Sequence, residues 1–90
     1  MNEPRLDYDA KAVVAFSKQM LERLDANAHK GRGGWRSLLL PRLVVMLGEE
    51  FTELLGALWL HDRKQIKLEA VDLANVCMMV ADVLGGSEVD

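Results

Sequence analysis

The chain has 90 residues, of which 50% are hydrophobic and 28% are charged. This length predicts one domain over residues 1–90 and excludes two domains with separate cores. Eleven Lys and Arg against fourteen Asp and Glu give a net charge of −3, which argues against nucleic acid or an anionic membrane surface as the main partner.

Glycine and proline positions divide the chain into three predicted helices. The first is expected from roughly Asp9 to Ala28, because apolar residues recur there at three- and four-residue steps. The apolar face holds Val13, Phe16, Met20, Leu21 and Leu24, and the opposite face holds Lys11, Lys18, Glu22 and Arg23. A loop rich in glycine and positive charge is expected from His29 to about Leu40.

The second helix has two possible starts. Ser37 can act as an N-cap, whereas Pro41 suits a first turn, where a missing N–H has no helical partner to lose. The helix is expected to continue to about His61. Its apolar stripe consists of Leu43, Leu47, Phe51, Leu54, Leu55 and Leu58.

The third helix is predicted from near Arg63 to Leu84. Asp62 followed by Gln65 resembles a capping box, and Gly85 can supply a left-handed C-cap. Because the preceding turn is short, helices two and three are expected to pack antiparallel.

Apolar residues lie on almost every side of the third helix. Two other helices of one chain are expected to leave part of such a cylinder uncovered. The sequence therefore predicts an all-α fold, a short bundle of about three helices completed by homo-oligomerisation into a dimer or tetramer, with the third helix central. Cys77 is expected to be buried, and Trp59 is expected to pack at the subunit interface.

Cysteine content and targeting signals bear on the compartment. A single cysteine excludes a framework of disulfides within the chain, which favours a reducing environment. No stretch has the pattern of a signal peptide or of a membrane span. We therefore expect a cytoplasmic protein.

Two pairs of acidic residues indicate the chemistry. Glu50 and Glu53 are three residues apart on the second helix, and Glu69 and Asp72 are three apart on the third, so each pair shares a helix face. Both pairs lie at comparable distances from the tight turn and can face each other. Four converging carboxylates would repel one another unless a positive charge lies between them. An all-oxygen set of ligands suits Mg²⁺ or Mn²⁺.

Two other interpretations compete with this metal site. The acids can instead form a solvated face with ion pairs to Arg63, Lys64 and Lys67. The apolar neighbours of Asp72, namely Leu68, Val76 and Met79, argue against that interpretation. A di-iron bundle of the ferritin type requires Glu-x-x-His, and none of the three Glu residues of the predicted site has a His three residues later.

The acidic motifs resemble those of a known family. Glu49-Glu50-Phe51-Thr52-Glu53, followed by Glu69-Ala70-Val71-Asp72 and Asn75, is similar to the EExxE and ExxD signature of the MazG-like all-α nucleoside triphosphate pyrophosphohydrolases. The similarity covers roughly residues 16 to 85. It includes the segments 27–31, 34–36 and 75–82, which read NAHKG, GWR and NVCMMVAD.

This resemblance implies hydrolysis of a ribo- or deoxyribonucleoside triphosphate to the monophosphate and pyrophosphate. It implies Mg²⁺, with Mn²⁺ as a possible substitute, held by Glu50, Glu53, Glu69 and Asp72, and one of the two helix-two glutamates as the base. Substrate contacts are expected from Asn27, Lys30, Trp35 and Asn75: Lys30 to phosphate, Trp35 to the base, and the asparagines to base or sugar. A tryptophan flanked by glycine equally often anchors a loop to the core.

Two alternative functions stay open at this point. One is a non-catalytic helical oligomerisation or adaptor module, whose acids only solubilise it. The other is a relative that hydrolyses phosphoribosyl-ATP, which the same scaffold supports. The sequence leaves undetermined the preferred base and sugar, the glutamate that acts as the base, and the choice between dimer and tetramer.

Overall fold

A computed structural model describes residues 4–28 and 32–85. Within these ranges the chain forms three α-helices and no strand: α1 Pro4–Ala26, α2 Leu40–Trp59 and α3 Arg63–Val83. A short 3₁₀ helix, Arg32–Ser37, lies between α1 and α2 and is kinked at Gly34. The all-α class and the three helices are therefore confirmed. Among the described residues, no helix has both the length and the apolar character needed to cross a membrane.

The start of α2 distinguishes between its two predicted N-termini. The helix begins at Leu40 with Pro41 in its first turn, and Leu39 is an N-cap without a side-chain hydrogen bond. Ser37 instead belongs to the 3₁₀ helix, where its hydroxyl donates to the Gly34 carbonyl at 2.8 Å. The Pro41 alternative is thus confirmed. The predicted irregular loop was wrong in part, because Arg32–Ser37 forms a 3₁₀ helix before α2.

The turn between α2 and α3 has the predicted capping. The Asp62 side chain accepts a hydrogen bond from the Gln65 backbone N–H at 3.1 Å, and α3 begins at Arg63. His61 has a positive φ of 55°, so the chain reverses within three residues after Trp59. Gly85 has the left-handed φ of 82° expected after the end of α3. This tight turn makes α2 and α3 an antiparallel pair.

The core is small and centres on α3. Its fully buried apolar cluster is formed by Leu43 and Met46 of α2 with Val76 and Met79 of α3. Half-buried side chains that pack against this cluster come from α1, the 3₁₀ helix and its flank, and α2 and α3: Leu24, Trp35, Leu38, Leu47, Met78, Val80 and Val83. From Ile66 to Val83, only Lys67, Cys77 and Ala81 are exposed. Part of α3 is thus left uncovered, as predicted, but the prediction that Cys77 is buried was wrong.

Most of the large apolar side chains left exposed lie on α1 and α2. Side chains from Asp7 to Gln19 of α1 are all exposed, whereas its last turns are hydrogen-bonded to α3 through Met20 and Arg23. The radius of gyration is 14.8 Å, against about 12 Å for a compact domain of this length. Large exposed side chains on these two helices are Tyr8, Val13, Val14, Phe16, Leu21, Leu40, Val44, Val45, Phe51, Leu55, Leu58 and Trp59.

Candidate functional site

A polar cleft lies where the last turns of α1 meet the antiparallel pair of α2 and α3. Its volume is about 160 Å³, and every side chain that lines it is polar. The lining residues are Arg23, Asn27, Glu50, Glu53, Gln65, Glu69 and Asp72. All four predicted metal ligands therefore line one small cleft.

Three of the four carboxylates are close enough to share one ion. Glu50, Glu69 and Asp72 each offer an oxygen atom, and these atoms all lie within 4.8 Å of one another. Oxygen ligands lie 2.0–2.6 Å from Mg²⁺ or Ca²⁺, so two ligands of one ion are separated by at most about 5 Å. Glu50 and Asp72 are buried, at 3% and 7% exposure. The donor set and its spacing thus fit a hard divalent cation.

Glu53 occupies a different position from the other three acids. It lies one turn beyond Glu50 on α2 and is exposed, while its carboxyl group still lines the cleft. Partial desolvation and the negative charges of Glu50 and Glu69 raise the pKa of Glu53 to about 7. Hydrogen bonds with the same two carboxyl groups contribute to this raised pKa, because only a protonated carboxyl can donate to them. Among the described residues that line the cleft, four are acidic and one, Arg23, is basic.

Arg23 was assigned to the polar face of the first helix by the sequence interpretation, and its side chain lies in the cleft. Its Nε donates to Asp72 Oδ1 at 2.9 Å, and its Nη2 donates to Asp72 Oδ2 at 2.7 Å. Arg63, Lys64 and Lys67 are exposed, while Asp72 forms its ion pair with Arg23. The positive partner of Asp72 thus comes from α1 and not from a neighbouring turn of α3.

A signal for Arg23 was present in the spacing of α1. Met20, Arg23, Leu24 and Asn27 follow the steps i, i+3, i+4 and i+7, which define one helix face. Leu24 packs against the core and Asn27 is buried. An arginine within this inward-facing set indicates a buried acidic partner elsewhere in the chain.

The two asparagines predicted to contact substrate have different surroundings. Asn27 is buried and lines the cleft. Asn75 lies one turn beyond Asp72, where its Nδ2 donates to the Met20 carbonyl at 3.1 Å and so ties α1 to α3. Gln65, which the sequence interpretation did not include, lines the cleft and donates to Glu69 Oε2 at 3.4 Å.

Trp35 lies away from the acidic cleft. Its Nε1 donates to Asp82 Oδ2 at 3.0 Å, and Arg36 Nε donates to the same oxygen at 3.0 Å. The Arg36 guanidinium also lies 5.0 Å from the centre of the Trp35 ring. Asp82 follows Asp72 by ten residues on α3, which is about 15 Å along the helix. Lys30, the predicted phosphate contact, lies outside the described residues.

Comparison of the chain with protein-family models, curated proteins and solved structures finds no match. The geometry of the cleft and the residues that line it are therefore the basis for assigning a function.

The charge of the cleft predicts how stability changes with pH. Glu53 faces Glu50 from α2, Glu69 and Asp72 from α3, and Arg23 from α1. Its folded pKa of about 7 exceeds the ordinary value of 4.5, so the folded protein holds this proton more tightly than the unfolded chain. The resulting stabilisation is fully present below pH 4.5 and is lost as the pH rises through 7.

We therefore expect the melting temperature in chelator to fall between pH 4.5 and 7, the interval between the two pKa values of Glu53. Circular dichroism melts of the wild type and Glu53→Gln measure this slope. The variant should have a flatter profile, while Glu49→Gln, at an exposed neighbouring position, should retain the wild-type slope. Parallel profiles for the wild type and Glu53→Gln would contradict the assignment.

Proposed function

We propose that the protein is a magnesium-dependent nucleoside triphosphate pyrophosphohydrolase, which produces the nucleoside monophosphate and pyrophosphate. The observation that carries this proposal is the meeting of Glu50, Glu53, Glu69 and Asp72 in one small polar cleft. The resemblance of these acidic pairs to the MazG-like signature supports it. Glu50 and Asp72 are buried beside two further acidic side chains, and such a cluster is costly unless positive charge balances it.

The residues present suit Mg²⁺, with Mn²⁺ as a substitute. Glu50, Glu69 and Asp72 would hold the ion with carboxylate oxygens, and Glu53 at the rim would extend the set toward the substrate. When bound, the cation neutralises phosphate oxygens and polarises the phosphorus centre that water attacks. An acidic protein needs this bridge, because its own carboxylates would otherwise repel a triphosphate.

The exposure of the two α2 glutamates separates their proposed roles. Glu50 is 3% exposed and is placed to hold a cation within the cleft. Glu53 is exposed at the rim, where a water molecule and a substrate can both reach its carboxylate. We therefore assign to Glu53 the task of orienting the attacking water and accepting its proton. Asn27, buried in the wall of the same cleft, is a neutral donor for a sugar or base.

A non-catalytic oligomerisation module is the second candidate. The exposed apolar faces of α1 and α2 favour it, since surfaces of this kind serve association between chains. Such a module has no need for three acidic side chains within 4.8 Å of one another. The two functions also differ in a direct assay.

That assay measures pyrophosphate release from a panel of ribo- and deoxyribonucleoside triphosphates and phosphoribosyl-ATP, with Mg²⁺ and with excess chelator. We expect equal amounts of monophosphate and pyrophosphate with Mg²⁺ and no product in chelator. Far-ultraviolet circular dichroism should show the same helix content in both conditions, and Mg²⁺ should raise the melting temperature. Hydrolysis that continues in chelator would contradict the metal site, and no hydrolysis of any substrate would favour the oligomerisation module.

A further inference from the structure

Arg23 of α1 donates hydrogen bonds to one of the carboxylates that would bind a metal ion. Its two donated hydrogen bonds occupy both oxygens of Asp72, at 2.9 and 2.7 Å. One Asp72 oxygen is also among the atoms that lie within 4.8 Å of oxygens of Glu50 and Glu69. A guanidinium and a divalent cation are therefore placed to use the same carboxylate.

Burial strengthens the interaction between these groups. The Asp72 side chain is 8% exposed and that of Arg23 is 30% exposed, so solvent screens their charges less than it does at the surface. The pKa of Arg23 is raised, first by its hydrogen bond to Asp72 and also by the charges of Asp72, Glu69 and Glu50. The guanidinium is thus stabilised by the same three carboxylates that would bind an ion.

We propose that Arg23 neutralises Asp72 when no metal is bound and competes with the divalent cation for that carboxylate. This inference rests on the proposed metal site but not on the hydrolysis of nucleotides. Arg23 is a positioning residue in this scheme: it holds α1 against α3 in the metal-free protein, and metal entry weakens that attachment. Because the Arg23 guanidinium donates to both carboxylate oxygens of Asp72, the cation must share Asp72 with it or displace it.

The experiment measures Mn²⁺ affinity without nucleotide, by calorimetry or electron paramagnetic resonance, for the wild type, Arg23→Gln and Arg36→Gln. Removal of the competing charge should tighten Mn²⁺ binding by Arg23→Gln at least tenfold. The melting temperature of metal-free Arg23→Gln should fall, and its rise on addition of Mn²⁺ should exceed that of the wild type. A purely structural role would lower the melting temperature by the same amount with and without Mn²⁺.

Arg36→Gln is the matched control. It removes the same charge and breaks an ion pair with Asp82, an α3 residue at 12% side-chain exposure, about 15 Å from Asp72 along the helix. Its Mn²⁺ affinity should equal that of the wild type.

Several results would overturn the proposal: unchanged or weaker Mn²⁺ binding by Arg23→Gln, equal tightening by Arg36→Gln, or no Mn²⁺ binding by any variant. If Arg23→Gln does not fold, Arg23→Lys replaces it. The lysine ammonium cannot donate to both Asp72 oxygens with the paired geometry of a guanidinium. The Arg23→Lys variant should therefore still bind Mn²⁺ more tightly than the wild type. Tighter Mn²⁺ binding without hydrolysis of any triphosphate would support the competition while contradicting the proposed enzyme function.

Discussion

Replacement of any one cleft carboxylate by its neutral isostere is expected to lower pyrophosphate release by a factor of ~100 or more, the loss typical of one group directed at a transition state. The variants are Glu50→Gln, Glu53→Gln, Glu69→Gln and Asp72→Asn. Each retains the shape of the side chain and removes one negative charge from a cleft of about 160 Å³. Steady-state kinetics at saturating Mg²⁺ measures the effect on kcat and kcat/KM.

Glu49→Gln is the control for this series. Glu49 is adjacent to Glu50 but rotated by about 100° around α2, and it is exposed and absent from the lining of the cleft. Most of the activity should therefore remain. Equal losses at Glu49 and Glu50 would place the site on the wrong face of α2, and the carboxylate assignment would have to be withdrawn even if the protein hydrolyses triphosphates.

The same four variants should differ from one another in their free energy of unfolding without metal. At Glu50, Glu53 and Glu69, loss of a charge relieves repulsion, so the free energy of unfolding should rise or stay level. Asp72→Asn should behave differently because Asp72 accepts both hydrogen bonds of Arg23. Loss of this charge-assisted pair should cost about 1–3 kcal/mol, as measured by urea unfolding in chelator. The sequence alone indicated repulsion among all four carboxylates and did not reveal Arg23 as the partner of Asp72.

Local features of the fold were predictable from the sequence because neighbouring residues decide them. Asp62 caps α3 through a bond to a backbone N–H only three residues away, and Gly85 has the left-handed φ that favours glycine. The acidic pairs were predictable for the same reason. Three-residue spacing determines a shared helix face, and a tight turn determines which faces of two helices meet.

Features that depend on how α1 packs were not predictable in this way. Arg23 and Asp72 are 49 residues apart, and no local rule connects them. The elements that cover α3 were not predictable for a related reason. Helical periodicity shows which sides of α3 are apolar, but the last turns of α1 and the 3₁₀ helix cover sides that a count of helices leaves open. Trp35 was interpreted from its glycine neighbours, and its bond to Asp82 depends on the 3₁₀ helix.

The second large effect is expected in the oligomeric state. We expect the 10.1 kDa chain to sediment as a dimer or tetramer at micromolar concentration, because α1 and α2 leave large apolar side chains exposed. Leu55→Glu places a charge on the exposed face of α2, where Leu55 is 49% exposed within one chain. This variant should sediment as a monomer that retains most of its helix content.

Two further substitutions show whether association or folding is affected. Val80 packs against the buried cluster of one chain, so Val80→Glu should unfold the protein through burial of an unpaired charge, whatever its oligomeric state. Lys67→Glu introduces the same residue at an exposed polar position of α3 and should leave the sedimentation unchanged. A folded wild-type monomer at these concentrations would contradict the prediction. Dissociation by Lys67→Glu but not by Leu55→Glu would place the interface on α3 and not on α2. That outcome would agree with the sequence, which has apolar residues on almost every side of α3.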